Sequence, residues 1–192
     1  MTPEAVERFR TGAIVALQEV DADIALLEGT ANQADSAAAI AYGRALDSIR
    51  QERQDIQSAL DTLHGSPTVA FGEATQRIDA DIAALGRRVE RAPIELAPTA
   101  AALRAAALDR LASLEAEWGP PSPAALPAGE WVQRRQQIEG VLGRLGSDAS
   151  FSAVRAEVAR LFAALEDRIA TGSEEAPAPP VDTTATEAVL AE

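Results

Sequence analysis

Apolar residues recur every three or four positions along most of the chain. The clearest series covers residues 42–63, where one arginine takes a place that apolar residues otherwise fill: Tyr42, Leu46, Ile49, Arg53, Ile56, Leu60 and Leu63. This spacing aligns side chains along one face of an α-helix and is typical of helices that pack side by side. No stretch alternates convincingly with the period of two that a half-buried strand requires. The pattern therefore predicts an all-α fold, an antiparallel helical bundle of about six coiled-coil-like helices.

Turn-forming residues set the predicted boundaries of the first bundle. Gly29 and the proline-containing segments after Leu63 and Ala92 mark the ends of the first three helices. We predict one bundle over residues 1–118, with helices at about 3–28, 35–64, 69–91 and 98–118.

Proline-rich and acidic segments divide the rest of the chain. Residues 119–129 (GPPSPAALPAG) have no helical period and predict a linker. Residues 130–171 regain the helical spacing and predict a C-terminal helical hairpin. Residues 172–192 combine acids, prolines and small residues, the composition of a flexible, disordered segment that we call the acidic tail.

Composition and charge narrow the classes of partner. The 192-residue chain carries a net charge of −13, and all 17 basic residues are arginine. Because a protein of this negative charge repels the phosphate backbones of nucleic acids, we expect no nucleic-acid partner. The absence of cysteine removes disulfides and thiolate metal sites. No uncharged apolar run approaches the ~20 residues of a membrane span, and the first residues lack the apolar core of a signal peptide. We expect a soluble protein in the cytoplasm, or in a particle assembled there.

Two segments, VDADIALL at 20–27 and IDADIAAL at 78–85, are nearly the same. Residues two apart on a helix point about 200° apart, because each residue turns the chain by ~100°. The two aspartates of each copy therefore flank an apolar seam on opposite sides and cannot hold one ion together. Charges in such places select partner helices and register. A metal site assembled from both copies is the alternative, and an ancient duplication stays open.

Acids and arginines along this seam are the predicted interaction residues. We expect them to contact one another or a partner: Asp21, Asp23, Asp79, Asp81, Arg50 and Arg53. If the second and third helices fold back on each other, the second copy of the repeat comes within about a helical turn of both arginines. Arg53 stands inside the apolar series, so it needs an acid or the water-facing rim of the seam. It is either a residue at that rim or a device that sets register or oligomeric state.

Two tryptophans and two residues of the acidic tail complete the predicted interaction residues. Trp118 and Trp131 bracket the linker, as anchors that fold it onto the bundle or as part of a partner surface. Residues 184–187 spell a capping box, so a short helix could place Val189 and Leu190 in a groove.

Few residues could carry catalysis. The only histidine, His64, follows Asp61 with acid-x-x-His spacing, but a di-iron site needs that motif from two helices. Without lysine the chain has no Schiff base, Ser–Lys dyad or Walker loop. The arginines at 87, 88 and 91 fall where cations offset the dipole of a helix C-terminus, with an anion site as the alternative. We predict no catalytic residue, no cofactor, no metal and no enzyme.

Three functions from different classes remain. The first is a non-enzymatic structural or adaptor protein that contacts other proteins or further copies of itself, for example within a phage-like particle. The second is a protein whose amphipathic helices coat a lipid or hydrophobic-granule surface, although its polar faces lack the basic bias expected there. The third is a carboxylate–metal enzyme. We predict the first.

Overall fold

The computed structural model describes residues 3–63, 68–118, 126–146 and 150–174. These ranges contain six α-helices and no strand: α1 (Pro3–Gln33), α2 (Ser36–Thr62), α3 (Thr68–Glu95), α4 (Ala100–Trp118), α5 (Ala128–Gly143) and α6 (Phe151–Glu174). The all-α prediction is confirmed for this part of the chain.

Two helices run past the predicted ends. α1 continues beyond Gly29 to Gln33, because an exposed glycine inside a helix costs only about 1 kcal/mol relative to alanine. α3 passes through Pro93 and ends at Glu95. Proline cannot donate a hydrogen bond to the preceding turn, and in the last turn of a helix this leaves few further bonds to disturb.

Side chains cap the N-termini of two of the helices. The Asp35 carboxylate accepts hydrogen bonds from the amides of Ala37 at 3.1 Å and Ala38 at 2.9 Å, which caps α2. Thr99 Oγ1 accepts from the Ala102 amide at 3.1 Å and caps α4 in the same way.

The buried apolar side chains form two clusters that meet along α3. The first lies among α1, α2 and the part of α3 that ends at Ala92. The second begins at Ile94 and Ala97 and is shared by α4, α5 and α6. α3 therefore joins the two clusters. Helix α4, which we grouped with the first three in residues 1–118, packs in the second cluster. The division of the chain into domains stays a prediction.

Several predicted features fall wholly or partly outside the described residues. Most of the linker, at 119–125, and nearly all of the acidic tail, at 175–192, are among them. The predicted docking residues Val189 and Leu190 lie there as well. Leu126, within the predicted linker, is described, and it is buried in the second cluster.

Candidate functional site

A buried carboxylate lies where the two clusters meet. The Glu166 side chain on α6 is 1 % exposed. Its Oε1 accepts hydrogen bonds from Arg110 Nε at 3.0 Å and Nη2 at 2.9 Å, and its Oε2 accepts from Arg91 Nη1 at 2.7 Å. Arg91 lies on α3 and Arg110 on α4, so this carboxylate binds two other helices. Both of its oxygens are already used, which fits a structural role.

Further acids surround Arg110. Its Nη2 lies 2.5 Å from Glu90 Oε2 on α3, so one guanidinium nitrogen serves two carboxylates. Arg91 Nε also lies 3.5 Å from Glu95 Oε1. Buried charges of this kind need partners, because removal from water otherwise costs several kcal/mol for each ion. We call Glu90, Arg91, Arg110 and Glu166 the junction cluster.

Two acids at this junction have raised pKa values. Burial raises the pKa of Glu90; Arg110 opposes the shift, and the nearby acids Glu166 and Glu117 add to it. Burial also raises the pKa of Asp23 on α1, with Glu19 adding to the rise and Arg110 opposing it. Burial therefore outweighs the attraction of Arg110 at both acids.

A solvent-open groove borders the junction cluster between α3, α4 and α6. It has a volume of about 360 Å³, and its apolar wall includes Leu114, Trp118 and Ile169. A second depression of about 260 Å³ shares Glu90, Arg110 and Glu117 with it, and extends to Asp23 and Asp109. We call the two together the junction groove.

The predicted seam residues meet in a different combination from the one that we expected. Arg53 binds Asp21 on α1, with Nε 3.0 Å from Oδ1 and Nη2 2.9 Å from Oδ2. Arg50 Nη2 lies 2.6 Å from Glu28 Oε1, also on α1. Both arginines are therefore directed to α1 and not to α3. Arg53 is only partly buried, as expected of a residue at the rim of a seam.

The second copy of the repeat forms no ion pair with these arginines in the described part of the chain. Asp79 and Asp81 are exposed, and neither forms an ion pair within the described ranges. The contact between α2 and α3 has the opposite polarity: Glu52 on α2 pairs with Arg88 on α3. No ion pair of the second copy with Arg50 or Arg53 is formed among the described residues, although Asp81 lines the same depression as Glu52 and Asp55 of α2. The two aspartates of the first copy separate, because Asp21 binds α2 whereas Asp23 faces the junction groove.

The two tryptophans have different environments. Trp131 is 3 % exposed in the second cluster, and its Nε1 has no hydrogen-bond partner in the part of the chain that the structure describes. Trp118 is half-buried on the wall of the junction groove, and its Nε1 donates to Glu117 Oε2 at 3.1 Å. Trp131 is thus a core residue of the second cluster, and Trp118 keeps an accessible face.

The three arginines near the end of α3 also differ. Arg88 binds Glu52, and Arg91 binds Glu166. Arg87 lines the junction groove and makes no ion pair with any described residue.

The sequence analysis did not predict the junction cluster, although the spacing of apolar residues around Arg110 and Glu166 indicates it. Arg110 follows Leu103 and Ala107 by steps of four and three, and Glu166 follows Val158 and Phe162 by steps of four. Each is a charged residue inside an apolar series, as Arg53 is in the series of residues 42–63. Two such residues of opposite sign on different helices indicate a buried pair.

The described helices include none that is long and apolar enough to cross a membrane. Within the described ranges, no three His, Cys, Asp or Glu side chains are grouped as metal ligands would be. Compared with protein-family models, curated proteins and solved structures, the chain matches none.

Proposed function

We propose that this chain is a non-enzymatic helical structural or adaptor protein, which acts through contacts with other proteins as a component of a larger assembly. A phage-like particle is one assembly of that kind. The observation that carries the proposal is the junction cluster. Arg110 and Glu166 are the buried charged residues among the described ones, and they bind each other.

This use of charge favours a scaffold. A catalytic acid or base must come within hydrogen-bond reach of the substrate atom on which it acts. Here both Glu166 oxygens hold arginines, and the effect is to fasten α6 to α3 and α4. The accessible part of the same region is a groove with an aromatic wall, and clefts with a partly exposed tryptophan are common at protein interfaces.

Co-purification from the cells that make the protein tests this proposal. We expect the full chain to bring down a partner protein, or further copies of itself, in a fixed ratio measured by mass spectrometry and light scattering. A chain ending at residue 174 measures the contribution of the acidic tail with its Val189 and Leu190. A monomer that retains no stoichiometric partner at native concentration contradicts the proposal.

A further inference from the structure

We propose that the junction groove binds a basic, partly apolar segment of a partner protein. Arginine or lysine side chains of that segment pair with Glu90 and Glu117, and its apolar side chains pack on Trp118. This inference rests on the proposed function and names the chemistry of the partner.

The apolar side of the groove supplies the packing surface. Leu114 and Ile169 belong to the second cluster and form a fixed floor, because they are held by the helices around them. Trp118 stands at the edge and is half-buried, so part of its ring is available to a ligand. An indole face attracts guanidinium and ammonium groups as well as apolar ones.

The acidic residues of the groove favour a positively charged partner. The junction groove presents Asp23, Glu90, Asp109 and Glu117, whereas Arg110 is already shared by Glu166 and Glu90. The whole chain is acidic as well, with a net charge of −13, so a basic segment is attracted at long range and then fits the local excess of acid.

Arg87 makes the charge along the groove uneven. It lies on the same wall as Glu90, three residues earlier on α3, and has no ion pair in the described part of the chain. A cation of the partner is therefore favoured near Glu90 and disfavoured near Arg87. Removal of Arg87 should strengthen the binding of a basic segment, and removal of the acids should weaken it.

The acidic tail and a second copy are the other possible occupants. The tail beyond residue 174 carries acids and no basic residue, so it would bring negative charge to Glu90 and Glu117. A second copy has the same net charge of −13 and is therefore repelled as well. The experiment distinguishes both of these occupants from a basic segment of a partner.

The test is isothermal titration calorimetry of the full chain with a synthetic 14-residue peptide that alternates arginine pairs with leucine and alanine at helical spacing. Tryptophan fluorescence, to which Trp118 contributes, gives a second readout. The first control peptide carries glutamate in place of every arginine, and the second carries serine in place of every leucine. We expect binding of the first peptide, and weaker binding or none of the two controls.

Matched variants locate the site. The double variant Glu90→Gln/Glu117→Gln should weaken peptide binding by about tenfold, because two charge pairs are lost. The control Glu73→Gln/Asp79→Asn removes two exposed acids from α3 outside the groove and should change binding less than twofold. Arg87→Ala should strengthen binding severalfold. Circular dichroism of each variant checks that the helices are intact.

Six results would overturn the inference, and the first four come from the peptide titrations. They are the absence of any binding to the full chain, equal weakening by the two double variants, equal binding of the glutamate peptide, and a more than tenfold gain on ending the chain at residue 174. The fourth result assigns the groove to the acidic tail. A change in molecular mass for Glu90→Gln/Glu117→Gln assigns it to a second copy. If a stoichiometric partner is retained by that double variant at the same dilutions as by the wild type, the inference fails and the proposed function stands.

Discussion

At the scale of single residues, Glu166 connects three helices. Its carboxylate accepts hydrogen bonds from two arginines on different helices and is 1 % exposed. A pair of this type adds little net stability compared with apolar residues of similar volume, because its desolvation is costly. It does penalise every packing that separates the charges. The junction cluster therefore specifies how α3, α4 and α6 meet.

Loss of the Glu166 carboxylate tests that role. We expect Glu166→Ala to lower the free energy of unfolding by about 3 kcal/mol, because the buried Arg110 keeps only Glu90 as a carboxylate partner and Arg91 keeps only Glu95. Urea unfolding followed by circular dichroism measures the change. The control on the same helix is Glu157→Ala, which removes an exposed pair with Arg144 and should cost about 1 kcal/mol or less. Equal costs for both variants would contradict a buried structural charge.

Glu90 gives a pH dependence with a definite sign. Its pKa in the folded protein is raised above 4.5, first by burial, so the folded state holds its proton to higher pH than the unfolded state. The contribution of Glu90 to stability is therefore lost as pH rises from 4.5 through the raised pKa. The variant Glu90→Gln lacks this loss. Urea titrations between about pH 4 and 7 should show the variant gaining on the wild type as pH rises. A difference that is constant or reversed contradicts the shift.

At the scale of the elements, charge pairs join the first three helices. Arginines of α2 bind acids of α1, Arg10 of α1 pairs with Asp61 of α2, and an arginine of α3 binds an acid of α2. Each such pair is partly exposed and contributes about 0–1 kcal/mol, so its main effect is on register. The apolar seams between them supply the packing energy, through buried residues such as Leu17, Ile49 and Leu85.

A double-mutant cycle tests the register of α1 against α2. We expect Asp21→Ala and Arg53→Ala to show a coupling energy of about 0.5–1 kcal/mol, because the two side chains form a bidentate pair. The matched cycle of Arg53→Ala with Asp79→Ala should show no coupling beyond error. Measured coupling with Asp79 in place of Asp21 would mean that the helices pack in the other arrangement.

At the scale of the whole molecule, α3 makes the two apolar clusters depend on each other. Val89 and Ala92 belong to the first cluster, and Ile94, only two residues after Ala92, to the second. A helix that continues through both cannot lose its packing at one end without weakening the other, and the junction cluster adds a second connection. The two clusters should therefore unfold together.

Tryptophan fluorescence can test this cooperativity directly. Trp118 and Trp131 both lie in or against the second cluster, so their emission reports that cluster alone. Leu85→Ala opens a cavity in the first cluster and should cost about 2–5 kcal/mol. We expect the urea midpoint from fluorescence to fall as far as that from circular dichroism. An unchanged fluorescence midpoint would show that the clusters unfold independently.

The sequence by itself determined the helices and much of what is buried. The series from Tyr42 to Leu63 predicts α2 and its inward face, since helical periodicity is a local property that a window of about fifteen residues displays. It also showed that Arg53 must find an acid or solvent. The helix ends were harder to predict, as Gly29 and Pro93 show, because the neighbouring turns of a helix can support an unfavourable residue.

Only the tertiary structure decided which charges meet. Arg53 could bind either copy of the repeated segment on sequence grounds, and the rotation of α2 against α1 selects Asp21. The junction cluster and its groove need residues from α3, α4 and α6, whose relative placement depends on packing between helices far apart in the chain. Periodicity tells which face of a helix is apolar, but the neighbour of that face is a property of the assembled fold.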